Sequence, residues 1–263
     1  MNLEKLCLSV CKITNHVGGF IKEQSGKIKQ EAVEEKSLNS LVTYVDKTAE
    51  MQLVKELQQL IPESGFITEE NTISLKGKLY NWIIDPLDGT TNYIHGIPCY
   101  CISIGLLRDN KLIMGVINEL NLNEIFYAWE NSKAYLNGKE IRVSSTTELK
   151  HSLLATGFPY YDYNKLDQYM ELLKDFMKNS RGVRRLGSAA TDLAYVACGR
   201  FDGFYEYGLN SWDVAAGAFI IQQAGGIVKD FKGGDNYLFG TDILVSNTGI
   251  YNEFSSKIKK YFN

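Results

Sequence analysis

Histidine, proline and paired cysteine are all scarce in this chain, and each scarcity removes a class of protein. Three histidines, His16, His95 and His151, stand far apart in 263 residues and form no H-x-x-x-H array, which argues against zinc chemistry. The five cysteines, Cys7, Cys11, Cys99, Cys101 and Cys198, are odd in number and lack the spacing of a disulfide framework, as suits a reducing compartment. Cys99 and Cys101 read better as one face of a strand than as a metal pair. With only four prolines there is no Pro/Ser-rich linker, and neither a low-complexity tract nor an internal repeat is visible. No run approaches the ~20 apolar residues of a membrane span, and the N-terminus offers acids and amphipathic spacing instead of an apolar leader core. A basic excess is also missing. Lys and Arg number 28 against 31 Asp and Glu, a net charge of −3, which excludes nucleic-acid binding by bulk charge. These absences predict a soluble, cytoplasmic protein with neither nucleic-acid nor membrane partners.

What is present is ordinary globular material, 44% hydrophobic and 22% charged, enough for a sizeable core. Apolar residues at three-four spacing predict helices over 3–30 and 46–60, the second ended by Pro62. From Tyr80 the period changes to that of strands. Residues 80–84, 99–108, 111–118, 124–129 and 133–136 form a meander, turned at Arg108-Asp109-Asn110 and at the hairpin pair Asn137-Gly138. Strands and helices then alternate: strand 153–157, helix 165–177, strand 182–185, helix 188–198, strand 203–207 and helix 212–224. Strands 226–229 and 243–246 and helix 251–261 close the chain. This order predicts a layered α/β protein with two sheets. It divides into an N-terminal half, 1–148, of helices and antiparallel sheet, and a C-terminal α/β half, 149–263, within one compact unit.

The sharpest segment is Asp85-Pro86-Leu87-Asp88-Gly89-Thr90-Thr91-Asn92. It follows the apolar strand Trp82-Ile83-Ile84, so Asp85 is expected at a strand's C-terminal end, where open α/β sheets place ligands. Gly89 permits a tight turn, and a helix opening after it would offer free N–H groups to a phosphate. Two carboxylates beside such a cradle suit a hard divalent cation bound together with phosphate. Two more acidic sites join it: Glu69-Glu70 after a short apolar stretch, which by itself reads better as a solvated loop, and Asp213 at the start of a helix of small residues, which by itself reads equally as N-terminal capping. The Asp-x-x-Asp spacing differs from the Asp-x-Asp of haloacid-dehalogenase phosphatases and counts against an aspartyl-phosphate intermediate. No P-loop or dinucleotide fingerprint is present.

Taken together, Glu69-Glu70, Asp85 to Asn92 and Trp212-Asp213-Val214-Ala215-Ala216-Gly217 resemble the inositol monophosphatase family of magnesium-dependent, lithium-sensitive phosphatases. Leu41-Val42-Thr43-Tyr44-Val45-Asp46, His95-Gly96-Ile97-Pro98, Gly187-Ser188-Ala189-Ala190 and Gly199-Arg200-Phe201-Asp202-Gly203 extend the resemblance over almost the whole chain. It implies an αβαβα sandwich of the sugar-phosphatase type, with two sheets between helix layers, and a homodimer. It also implies two or three Mg2+ per subunit, with Mn2+ as a substitute and Li+ inhibitory. One metal would lie on Glu69, Asp85 and the carbonyl of Leu87, a second on Asp85, Asp88 and Asp213, and a weaker third near Glu69. Asp46 and Thr90 would orient and deprotonate the attacking water, with Glu69 completing the catalytic set. Asp88, Gly89, Thr90 and Thr91 would hold the phosphate end of the substrate, and Gly187, Ser188, Ala189, Glu206 and Asp213 would face the alcohol. The segment Lys36–Ser40 is slightly shorter than the family's mobile loop and lacks its usual Pro and Asp, which bears on third-metal affinity.

The resemblance points to a metal-dependent phosphomonoester hydrolase, first an inositol-1-monophosphatase working by in-line attack of an activated water. Glu206 suits hydroxyls of a sugar or cyclitol and would repel a 3′,5′-bisphosphate, which leaves nucleotidase activity behind. Arg184 and Arg185 keep fructose 1,6-bisphosphate, or sugar phosphates broadly, as the alternative. A non-catalytic binding protein on this fold would be expected to have lost a carboxylate, and all are present.

Overall fold

The computed structural model describes residues 1–27, 33–37, 40–159 and 163–262; side chains of 33–37, 40 and 41 lie outside the description. Helix α1 (Leu3–Gln24) buries Leu6, Val10, Val17 and Ile21 on one face and is capped by Asn2, whose side chain accepts the Lys5 N–H. It stops earlier than the predicted residue 30, of which 28–30 lie outside the described residues: the positions three and four past Ile21 are Gln24 and Ser25, and Gly26 turns left-handed at φ 74°. A hairpin, β1 (Val33–Ser37) and β2 (Ser40–Thr43), leads into α2 (Tyr44–Leu60). The expected Lys36–Ser40 loop is therefore largely strand, and the side chain of Lys36 and residues 38 and 39 lie outside the described residues.

Seven strands follow as one sheet, in order β3-β4-β5-β6-β7-β8-β9. They are β3 (Gly65–Thr68), β4 (Tyr80–Asp88), β5 (Cys101–Arg108), β6 (Lys111–Glu119), β7 (Glu124–Trp129), β8 (Ala134–Leu136) and β9 (Lys139–Ile141), with the short helix α3 (Thr90–Ile94) between β4 and β5. Only β3 and β4 run parallel; the rest is the expected meander. The Asn137-Gly138 turn has both residues at positive φ, 49° and 82°, and it makes the unpredicted three-residue strand β9 pair back on β8.

The second sheet has the order β11-β10-β12-β14-β13. It comprises β10 (Leu153–Thr156), β11 (Gly182–Arg184), β12 (Gly203–Tyr207), β13 (Ile227–Lys229) and β14 (Asp242–Ser246). Helices α4 (Leu166–Asn179), α5 (Ala189–Ala197), α6 (Ser211–Gln223) and α7 (Tyr251–Phe262) connect and cover it. Three large hydrophobic clusters hold the five layers together. Leu53, Leu57, Trp82, Ile102 and Val116 fill the space between α1, α2 and the large sheet. Leu193, Phe204, Phe219, Ile220 and Val245 fill that between the sheets, around α5 and α6. Leu172, Phe176, Tyr205, Phe254 and Ile258 seal α4 and α7 onto the outer face. The result is the αβαβα sandwich expected. Among the described residues no helix is long and apolar enough to cross a membrane.

The middle helix α6 is apolar almost all round, with Val214 to Ile221 buried, as a helix between two sheets must be. Its small residues let it approach glycines on β5 and β6. A Cβ on Gly115 would lie 2.5 Å from the Ala216 carbonyl oxygen, and one on Gly105 2.9 Å from the Ala215 Cβ. Gly115→Ala should therefore destabilise the protein by about 1–3 kcal/mol, because backbone rather than a flexible side chain must give way. Gly19→Ala, in an exposed turn of α1 with nothing within 4 Å, should be neutral or stabilising by up to about 1 kcal/mol. Thermal melts of the two variants, read against the parent, check the opposite signs.

Candidate active site

Strand β4 carries the centre of the site. It does not end at Ile84 as predicted but runs on to Asp88, with its pairing to β5 interrupted between Asp85↔Ser103 and Asp88↔Cys101. Pro86, which has no N–H to give the ladder, lies inside that irregularity. The bulge lets Asp85 and Asp88 serve one cluster. Ligand oxygens of Asp85, Asp88 and Asp213 all lie within 4.8 Å of one another. Asp213 arrives from the other half of the chain as the third residue of α6, and its capping role is also realised: Oδ2 accepts the Asn210 N–H at 2.6 Å. Glu69, just past β3, has its N–H bonded to the Ile84 carbonyl at 3.2 Å, which places it beside Asp85.

Each aspartate has an oxygen tied to the protein. Asp85 Oδ1 accepts the Leu87 N–H at 2.9 Å. Asp88 Oδ2 accepts the Ser188 hydroxyl at 2.6 Å and the Ala190 N–H at 2.7 Å, at the opening turn of α5. Asp46, in the first turn of α2, accepts the Thr43 N–H and hydroxyl on Oδ2, at 2.9 and 2.6 Å, and the Thr90 hydroxyl on Oδ1 at 2.9 Å. The Thr90 hydroxyl also faces the Leu87 carbonyl at 3.0 Å, so its one proton serves two acceptors. Asp46, Leu87 and Thr90 are thus one hydrogen-bonded unit.

Burial pushes the carboxyl of Asp85 well above the usual range, and repulsion from Glu69, Asp88 and Asp213 pushes it further. Asp213 is held well above its ordinary value by burial and by Asp88. Asp88 is raised by burial despite the donors on its anchored oxygen and the charge of Arg185. Asp46 is raised by burial against the opposing pull of the Thr43 and Thr90 donors. A set of carboxylates and a carbonyl, crowded enough to resist ionising, fits a hard divalent cation, which takes oxygen donors and supplies the missing positive charge.

Gly89 caps α3 in a left-handed conformation, φ 94°, so the expected helix does open after it. The first N–H groups of that helix have no intrahelical acceptor. Thr91 is exposed at this end, and Gly89 and Thr90 are half-buried. Gly187 is also left-handed, φ 96°, and lies against Asn92, whose Nδ2 would be 2.8 Å from a Cβ there. Ala189 is half-buried, whereas Ser188 is buried and gives its hydroxyl to Asp88. Glu206 on β12 is buried against Gly157, where even a Cβ would fall 2.0 Å from its Oε1. Burial and the charges of Asp213 and Asp88 raise its carboxyl, opposed by Arg185. Arg184 is exposed, and Arg185 lies over the Phe158 ring at 5.4 Å.

Two residues of this architecture have roles that the sequence does not announce: Asn92, within the motif but given no role by it, and Glu50. Asn92 donates to the carbonyls of Cys99 and Leu186, at 2.8 and 2.9 Å, tying α3 to the approach to α5. Glu50, one turn beyond Asp46 on α2, is wholly buried. An Asp-x-x-x-Glu spacing in a polar helix looks like a solvated face, so only the fold reveals it.

A layered α/β protein in which one buried and two half-buried aspartates converge beside a glycine-capped helix has the donor set of a site for a hard cation. Residues 3–261 match the model of the inositol monophosphatase family, and the chain belongs to that family. It is 41% identical over 237 residues, 90% of this chain and 91% of the other, to the putative Nus factor SuhB of Neisseria meningitidis serogroup B. It is 36% identical over 262 residues, 99% and 97% of the two chains, to the fructose-1,6-bisphosphatase/inositol-1-monophosphatase of Aquifex aeolicus. Among solved structures, the extragenic suppressor protein suhB from Bartonella henselae superposes with a TM-score of 0.93 at 34% identity, covering 97% of this chain and 99% of that one.

The raised carboxylates make a prediction about the metal-free protein. Their folded values lie above the unfolded one, 3.8 for an aspartate, so the native state keeps protons that the unfolded chain releases. Stability without metal should therefore fall as pH climbs from about 4 through the raised folded values. Asp85→Asn, which can keep the Leu87 contact, should raise the metal-free melting temperature at neutral pH by roughly 2–4 °C per kcal/mol of repulsion relieved. It should also lose the extra stabilisation that added Mg2+ gives the parent. Thermal melts in chelator and in Mg2+ test this, and a variant less stable than the parent in chelator would contradict it.

Proposed function

We propose that this chain is a magnesium-dependent phosphomonoester hydrolase acting first on inositol monophosphate, with its metals on Glu69, Asp85, the Leu87 carbonyl, Asp88 and Asp213. The observation that carries the reading is the bond from the Thr90 hydroxyl to Asp46 beside the carboxylate cluster. With its proton committed to Asp46 or Leu87, the Thr90 oxygen keeps lone pairs that can accept a hydrogen bond from water and so orient it. Asp46, raised toward neutrality by burial, is suited to receive the proton through Thr90. Bound cations would neutralise the phosphoryl oxygens and make a neighbouring water more acidic. The N–H groups of Gly89, Thr90 and Thr91 would hold the phosphate in line.

Substrate choice follows from Glu206 and Arg185. Glu206 offers an acceptor to a ring hydroxyl and repels a second phosphate. Arg185 faces Asp88, Asp192 and Glu206 closely enough to oppose the rise of all three carboxyls, so its charge is already engaged. That weakens the case for fructose 1,6-bisphosphate, which needs a cation for its far phosphate, though the Aquifex relative carries both activities in its name. Lithium sensitivity and a homodimer, each subunit one compact unit of the halves 1–148 and 149–263, complete the proposal. The Neisseria relative's name favours a second reading, a Nus-factor role that need not use turnover at all.

Phosphate release from inositol 1-phosphate, fructose 1,6-bisphosphate and adenosine 3′,5′-bisphosphate, with Mg2+ and with Mg2+ plus Li+, tests the proposal. Inositol 1-phosphate should turn over fastest and Li+ should suppress it. Thr90→Ala should lower kcat by about 10²–10⁴, the range for a lost proton-transfer group, and Thr90→Ser should restore much of it. Silence on every ester with Mg2+ present would sink the enzyme reading and leave the Nus-factor one.

A further inference from the structure

Glu50 is a buried carboxylate that the proposed chemistry does not use. It is 0% exposed. Its Oε2 accepts the N–H of Glu70 at 2.8 Å. Its Oε1 accepts the N–H of Thr72 at 2.8 Å and the Thr72 hydroxyl at 2.7 Å. Those donors bracket Asn71, which turns left-handed at φ 53° and bonds back to the Glu69 carbonyl at 3.2 Å. The chain from Glu69 to Thr72 is thus wound around one carboxylate. On its other side Glu69 is fixed by its own N–H to Ile84, on β4 next to Asp85. Burying a carboxylate is costly unless donors surround it, and charge-assisted bonds of this kind are the stronger ones.

Glu50 also stands four residues from Asp46 on α2, so the two carboxylates rise from one side of one helix. Asp46 holds Thr90, and Glu50 holds the turn that presents Glu69. We infer that Glu50 is a positioning residue: it sets Glu69 against Asp85 and, through the rigid helix, keeps that end of the site in register with the Asp46–Thr90 pair. The inference rests on the metal assignment proposed above, and concerns how the ligand turn is held. Glutamine cannot replace Glu50 here, because its amide would point a donor at a donor. Aspartate keeps the charge but falls one methylene short.

The test is Mn2+ binding to the full-length, metal-free protein, followed by electron paramagnetic resonance, with kcat and melting temperature measured alongside. Glu50→Gln should weaken the tightest Mn2+ site about 10-fold or more, as loss of an outer-shell partner does, while kcat recovers most of its value at saturating metal. Glu50→Asp should weaken it similarly. Thr72→Val, on an exposed side chain, removes one of the three bonds and should cost about threefold; it decides the matter should Glu50→Gln fail to fold. Mn2+ affinity equal to the parent's with a lowered melting temperature would overturn the inference, and so would full rescue by Glu50→Asp, which would mark a purely electrostatic role. A parent protein that binds no Mn2+ would instead overturn the metal assignment, and this inference with it.

Discussion

Like charges must be kept together at the centre of this molecule, and much of the fold can be understood as the means of doing so. Asp85, Asp88 and Asp213 would separate or take up protons if left free. Each has an oxygen fastened to backbone N–H groups: Asp85 to Leu87, Asp88 to Ala190, Asp213 to Asn210. A carboxylate has room for about four hydrogen-bond donors, so the fastening orients the group and leaves acceptor capacity for a ligand. Ala190 lies beyond residue 149 and anchors Asp88 on a strand before it, and Asp213 itself comes from beyond 149, so the cluster forms only where these two stretches of chain meet.

That contact runs through α6, and it explains why the helix is built of small residues. Ala215 and Ala216 sit where Gly105 and Gly115 leave space, and Gly217 admits Leu193 of α5, whose Cβ would lie 2.4 Å from an added methyl. A bulkier helix would ride higher on the sheet and lift Asp213 from Asp85 and Asp88. Elsewhere the halves are stitched by polar contacts. Asp202 accepts the Ser144 hydroxyl, and Asn247 donates to that same hydroxyl at 2.6 Å and to the Thr146 carbonyl at 3.0 Å. Packing sets the distance and hydrogen bonds set the register.

The layered fold was legible in the sequence because its periodicities are local: the helical faces of α1 and α2, the alternation of the meander, and Asn137-Gly138 all announce themselves within a dozen residues. The carboxylate of Asp85 was legible for the same reason, being flanked by an apolar strand and a glycine turn. What escaped depends on distance along the chain or on counting. Asp88 finds its anchor in Ser188, 100 residues away, and nothing near either residue foretells the pairing. The extension of β4 through Pro86 needs β5 to resume pairing at Cys101, a tertiary fact. Glu50 looks like any polar helix position until the turn at Asn71 folds over it. The end of α1 was overrun because polar residues after Ile21 give no signal until Ser25 and Gly26.

Gly89 carries one more implication, about how such a chain can change. At φ 94° and with the Cys99 carbonyl oxygen 2.9 Å from where a Cβ would stand, it admits no other residue without moving backbone. Ala189, half-buried at the start of α5, is under no such backbone constraint. The turn that opens α3 is therefore fixed to glycine by its backbone, whatever else in this chain is free to vary.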